Sequence, residues 1–172
     1  MNYDRYLTYA ELTAQLERLV AEHQDLARLE SAGKSFEGRD IWALTLSAGT
    51  RPAHEKPAMY IEGNIHAGEV AASMVCLYAA EHLLQNYGRC DDITHLLDTR
   101  AYYILPRVNP DGAEKYLTTP FTLRSSVKPY PDVEVADLPG LHPSDVNDDG
   151  HILLMRVRDD KRGEWAVSRK DP

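Results

Sequence analysis

The stretch Tyr60-Ile61-Glu62-Gly63-Asn64-Ile65-His66-Ala67-Gly68-Glu69 decides how this chain is read. A β-rich apolar run ends in Gly63-Asn64, and a His-x-x-Glu pair follows at the turn into a helix. His66 offers a neutral imidazole and Glu69 a carboxylate, both ligand types that Zn²⁺ accepts in catalytic sites. At a strand-to-helix junction, residues three apart converge on one ion while the strand end and first helical turn hold them. The C-terminal end of a strand is also where open α/β sheets place their ligands. The pair alone leaves two readings open, a metal site or a structural turn.

Working outward, Val70, Met74, Leu77, Ala80 or Glu81, and Leu84 recur along one face of a helix from Glu69 to Tyr87, with Gly88 as its stop. Asp91-Asp92 caps a shorter helix through Ile93, Leu96 and Leu97, and residues 101–106 read as a buried strand ended by Asn109-Pro110-Asp111-Gly112. That tetrapeptide is expected to make a tight turn, with Pro110 at its first corner. Toward the N-terminus, Thr8 and Glu11 form a capping box before a helix carrying Leu12, Leu16, Leu19 and Val20 to about His23. Residues 26–32 suggest a short strand, residues 33–40 a hairpin-type turn, and residues 41–46 a clear strand. A polar loop over Arg51 to Lys56 leads to Pro57 and the strand 58–62. Strands alternating with helices indicate an α/β domain, a mixed β-sheet flanked by helices.

From Pro120 the periodicity fades, and Pro129, Pro131, Pro139 and Pro143 punctuate what reads as a long excursion or insertion. Residues 152–157 look like a strand, with residues 165–167 as its hairpin partner. The chain stops at Lys170-Asp171-Pro172 with no closing helix, so the α/β domain is expected to be incomplete at its C-terminus. The division is residues 1–124, part of an α/β domain, and residues 125–172, a truncated Pro-rich excursion.

At 172 residues the chain has the length of one ordinary domain, enough for a substantial core. Its apolar share of 43% and charged share of 27% indicate a globular protein rather than a disordered one. A formal net charge of −8 opposes wrapping nucleic acid, which needs a basic face. No apolar run approaches the roughly 20 residues that span a bilayer. The start Met1-Asn2-Tyr3-Asp4 has no basic or apolar signal region, so a cytoplasmic location is expected, or a secreted one if residues precede this start. Two cysteines, Cys76 and Cys90, make neither a disulfide framework nor a CxxC metal site, and Cys76 falls in a helical apolar pattern as a buried thiol. Nothing in the sequence fixes the oligomeric state.

The motif Gly63-Asn64-Ile65-His66-Ala67-Gly68-Glu69, the long helix after it, and residues 104–112 (Ile-Leu-Pro-Arg-Val-Asn-Pro-Asp-Gly) resemble the M14 zinc carboxypeptidase family. Residues 33–41 are similar to that family's first hairpin, and the resemblance covers roughly residues 5–125. It implies a zinc-carboxypeptidase-like, phosphorylase/hydrolase-like fold with His66 and Glu69 as zinc ligands beside a second, distant His. It also implies that Arg124, fifteen positions after Asn109, polarises the scissile carbonyl. A guanidinium suits that task, being always charged and a planar fork of donors. The bland reading of Arg124 is a solvated loop residue.

The family pattern continues with an Asn-Arg pair for the substrate carboxylate, a third zinc ligand, a Tyr and a Glu general base. None has a convincing match between Arg124 and Pro172, and neither His142 nor His151 sits in a ligand-like context. The resemblance therefore implies a metallocarboxypeptidase acting on a peptide or protein C-terminus, with this chain inactive on its own. Alternatives are a zinc amidohydrolase deacylating N-acyl amino acids and a non-catalytic metal-binding module.

A second motif is Asp145-Val146-Asn147-Asp148-Asp149-Gly150-His151-Ile152. Oxygen donors at Asp145, Asn147 and Asp149 with Gly150 sixth match the first part of a Ca²⁺ loop. The twelfth position is Arg156, so it is no EF-hand. A partial Ca²⁺ loop and a plain Asp/Asn/Gly turn are both open.

Overall fold

A computed structural model describes residues 3–128, 145 and 148–152. Helix α1 (Tyr9–Glu22) opens with the expected capping box and buries Leu12, Leu16 and Leu19. Thr8 donates through its amide and its hydroxyl to the Glu11 carboxylate, both at 2.9 Å, so the helix start is closed from both sides. Strands β1 (Ala27–Lys34) and β2 (Asp40–Leu46) form an antiparallel hairpin. The first strand runs two residues beyond the expected end at Ala32, because pairing resumes at Lys34 opposite Asp40 after a register shift past Ser31.

After a short 3₁₀ turn (Ala53–Glu55) come β3 (Ala58–Glu62), α2 (Val70–Asn86), α3 (Asp91–Thr99) and β4 (Ala101–Leu105). The sheet order is β1-β2-β4-β3, with β4 antiparallel to β2 and parallel to β3. This is the mixed α/β sheet with flanking helices that the element pattern implies.

The predicted face of α2 is the buried one: Val70, Met74, Leu77, Ala80, Glu81 and Leu84 all lie inside. Met74, Leu77, Ala80 and Leu84 join Leu44, Leu46, Leu97 and Ile104 in one core cluster with the α1 leucines. Glu81 is tolerated there because Tyr3 donates to it at 2.7 Å and Arg18 at 2.8 Å. Cys76 is buried and unpaired, and burial pushes its thiol pKa up. Strand β3 is one edge of the sheet among the described residues, and its Met59 and Tyr60 are more than half exposed. No helix among the described residues is long and apolar enough to cross a membrane.

Three local expectations change. Cys90, not Asp91-Asp92, holds the N-cap position of α3, and the two aspartates fill its first turn. Asn109-Pro110-Asp111-Gly112 does not close a tight turn; it starts helix α4 (Pro110–Thr118). Asn109 is the N-cap, accepting from the Gly112 amide at 2.9 Å, and Pro110 takes the first helical turn where its missing N–H costs nothing. Lys56, read as part of a polar loop, is buried, donating to Ser47 Oγ at 2.8 Å and to the carbonyls of Ala48 and Leu97. Of the strand expected over residues 152–157, all but Ile152 lies outside the described residues, as do the hairpin partner at 165–167 and His142.

Candidate active site

The site is assembled where the parallel strands β3 and β4 end. Their ladder continues past the strands: Gly63 N donates to Leu105 O at 3.0 Å, Val108 N to Gly63 O at 3.0 Å, and Asn109 N to Asn64 O at 3.1 Å. These bonds set the His66–Glu69 turn beside the start of α4. The approach needs glycine at Gly112, where a Cβ would stand 2.8 Å from the Ala67 side chain.

Glu69 is the N-cap position of α2, and the turn bends its carboxylate back over His66. His66 Nδ1 and Glu69 Oε1 are 2.7 Å apart, and the His66 amide donates to Glu69 Oε2 at 3.3 Å. The bond to the His66 ring is the main force holding the Glu69 carboxyl below its usual value, with smaller help from the His66 amide and the Arg124 guanidinium. Both side chains remain open to solvent, so an incoming ion can reach them.

Arg124 joins them through its backbone and its side chain. Its carbonyl accepts from Ala67 N at 2.8 Å, in the middle of the His-x-x-Glu turn. Next to it, Ser125 O accepts from Asn109 Nδ2 at 2.7 Å. The helix cap thus fixes the loop that presents Arg124. His66, Gly68, Glu69, Thr122, Leu123 and Arg124 line one cleft of about 380 Å³. His66 also borders a second cleft of about 450 Å³, walled by Phe36, Ile41, Ile65, Val108 and Val127.

The zinc carboxypeptidase family model matches residues 12–138. The chain belongs to the zinc carboxypeptidase family. It is 35% identical over 117 residues to a zinc carboxypeptidase of Saccharothrix mutabilis subsp. capreolus, covering 68% of this chain and 27% of that protein. Carboxypeptidase A2 of Rattus norvegicus is 35% identical over 111 residues, covering 64% of this chain and 26% of its own length. Among solved structures, thrombin activatable fibrinolysis inhibitor aligns with a TM-score of 0.69 at 26% identity, over 76% of this chain and 32% of that one. Carboxypeptidase A from Helicoverpa armigera aligns with a TM-score of 0.61 at 29% identity, over 69% and 28%. The chain spans about a quarter of the length of these two curated relatives.

Membership in a zinc carboxypeptidase family implies Zn²⁺, and the donors present suit it. An imidazole nitrogen and a carboxylate oxygen already stand 2.7 Å apart, and a divalent cation competes with protons for their lone pairs. Among the described residues no group of three or more His, Cys, Asp or Glu is arranged to hold a metal. The described residues therefore bring together two donors of a site that usually takes three from the protein.

The Asp145 motif shows the local bonding of an Asx turn. Asp145 accepts from the amides of Asp149 at 3.3 Å and Gly150 at 2.7 Å, and Asp149 Oδ1 accepts from His151 N at 2.9 Å. Asn147 lies outside the described residues.

Asp111, expected to help make a tight turn, lies instead in the first turn of α4. It is buried and accepts from Ser35 Oγ at 2.7 Å, Glu37 N at 2.9 Å and Arg39 Nη1 at 2.7 Å, tying α4 to the β1–β2 hairpin. The available clue was an acidic residue inside the helix-starting tetrapeptide, 72 positions from an arginine in the hairpin turn.

Proposed function

We propose that this chain carries part of a metallocarboxypeptidase site acting on the C-terminal peptide bond of a peptide or protein. His66 and Glu69 hold the zinc ion. Zinc bound there supplies Lewis acidity, polarising a scissile carbonyl and lowering the pKa of a water toward about 7. Arg124 faces the same cleft and stabilises the oxyanion that develops on the carbonyl oxygen, its planar donors and permanent charge suiting that role. Glu69 stays ionised through its bond to His66, which keeps it available as a donor.

The observation that carries this reading is the bond from Ala67 N to Arg124 O. It seats the distant arginine on the two-donor turn, an arrangement with no evident structural need for a guanidinium over an open cleft. With two donors and no general base facing the cleft among the described residues, the 172-residue chain is expected to bind zinc weakly and to turn over little or nothing. The calcium reading of Asp145, Asn147 and Asp149 is the finer proposal, checked by calcium titration of the same chain.

Zinc titration of the chain with His66→Ala and Glu69→Ala tests the main reading. Binding lost in both variants supports it. Binding that survives both sinks it, because another site then holds the metal. In any longer form that turns over, release of C-terminal residues without cleavage of N-acyl amino acids supports the peptidase over the deacylase.

A further inference from the structure

Behind the His66–Glu69 turn runs a line of three buried polar side chains. Arg107 is 2% exposed, Ser73 0% and Asn64 1%, so none is held there by contact with solvent. Arg107 Nε donates to Ser73 Oγ at 3.1 Å, and the Ser73 hydroxyl donates onward to Asn64 Oδ1 at 2.9 Å. Asn64 Nδ2 then donates to His66 O at 2.7 Å and Ala67 O at 3.2 Å. The chain of donors is consistently oriented, starting from a cation and ending on two carbonyls of the turn.

Asn64 has φ +56°, a left-handed conformation that asparagine tolerates better than most side chains. That conformation turns the backbone sharply at the end of β3, and the Asn64 amide fills the inside of the bend. At the far end, Arg107 Nη2 donates to Leu7 O at 2.9 Å, anchoring the chain to the segment before α1. Burying a guanidinium is expensive, and Nη1 has no hydrogen-bond partner among the described residues. Burial pulls its pKa down to about 10, so it is still charged at neutral pH. A solvent-excluded charge kept at the root of a relay to the candidate ligand turn indicates a function beyond filling space. A core of this kind packs well with apolar residues alone.

We infer that Asn64, Ser73 and Arg107 form a buried positioning relay that fixes the His66–Glu69 turn for metal binding. The relay touches neither candidate ligand's side chain; it acts through the His66 and Ala67 carbonyls, setting the direction in which His66 leaves the backbone. Groups that orient metal ligands in this way govern affinity strongly. The metal part of the inference rests on the zinc reading above; the rigidity part does not.

The test uses the 172-residue chain with Asn64→Gly, which keeps the left-handed backbone and removes only the amide, and with Ser73→Ala, which interrupts the relay without altering the turn's sequence. In the metal-free protein, amide hydrogen exchange at Ala67 and Glu69 rises about 10-fold or more in both variants, while Tyr103 and Ile104 of β4 exchange as before. The zinc dissociation constant rises roughly 10- to 100-fold at a temperature well below unfolding. Unchanged exchange at the turn in a folded variant overturns the relay, as does an equal rise in β4, which means general loosening. If Ser73→Ala does not fold, Asn64→Gly decides alone. Unweakened zinc binding in His66→Ala sinks the zinc reading, and the exchange comparison still decides the relay.

Discussion

Asp111→Asn isolates the contact that couples the β1–β2 hairpin to the start of α4. The substitution keeps the side chain's volume and removes its charge and one acceptor. In the native arrangement Oδ1 receives Ser35 Oγ and Arg39 Nη1, both at 2.7 Å, and Oδ2 receives Glu37 N at 2.9 Å. If the asparagine oxygen stays with Ser35 and Arg39, its NH₂ meets the Glu37 amide donor to donor. A buried amide left unsatisfied costs about 1–3 kcal/mol, and two bonds to a charged acceptor become neutral at a loss of about 1 kcal/mol each. Arg39 keeps Glu37 as a partner, which limits the damage. The expected loss is about 3 kcal/mol. With a urea m-value of about 2 kcal/mol/M, the unfolding midpoint falls by roughly 1.5 M.

The pH dependence has a definite sign. Burial pushes the Asp111 carboxyl up, but the Ser35, Glu37 and Arg39 bonds outweigh it and hold the group below its ordinary value. A depressed native pKa gives stability that is full above the unfolded value of about 3.9 and is lost as pH falls through the native one. The gap between wild type and Asp111→Asn is therefore widest near neutrality and narrows below about pH 4. A gap under about 1 kcal/mol at pH 7, or one that stays constant from pH 7 to pH 3, would refute the reasoning.

Gly63→Ala places a Cβ 2.8 Å from Ala72 O and 3.0 Å from Cys76 Sγ, so strand and helix must part. A loss of about 1–3 kcal/mol is expected, read as a drop of several degrees in thermal midpoint. Lys56→Met removes the donor to Ser47, Ala48 and Leu97, leaving Leu97 O with only the Ala48 amide and taking a donor from Ala48 O, at a cost of about 1–3 kcal/mol in urea unfolding. Zinc affinity falls as pH is lowered, because protons and metal compete for the same ligand lone pairs; calorimetry in buffers of different ionisation enthalpy detects protons displaced on binding. A pH-independent affinity contradicts ligation by the His66–Glu69 pair.

Much of the fold was legible because period and punctuation agree with the tertiary structure. The α2 stripe from Val70 to Leu84 needed no correction, since its one charged member, Glu81, lies on the same buried face. The α1 capping box is likewise a local signal that survives into the fold. Helix α4 was missed because Asn, Pro, Asp and Gly favour turns and helix starts alike, and only packing against Ala67 chooses between them. Lys56 and Arg107 escaped notice for a different reason. A sequence displays a charge's type but not the acceptors that the fold gathers round it from residues up to 100 positions away. In the candidate site, His66, Glu69 and Arg124 were named from the sequence and line one cleft, while the residues behind the turn were not singled out. Ser73 and Asn64 form their hydrogen bond only because α2 folds back against the strand that precedes it.

The parallel pairing of β3 with β4 also partitions the chain by its tolerance of length change. At the carboxyl ends, Gly63, Asn64, Val108 and Asn109 are stitched together residue for residue, so one inserted amino acid on either side pulls the His66 turn and the α4 cap out of step by about 3.3 Å. At the opposite pole, the bend at Tyr87–Cys90 between α2 and α3 carries no such stitching to the site. Insertion scanning would find the two motifs brittle and that bend permissive.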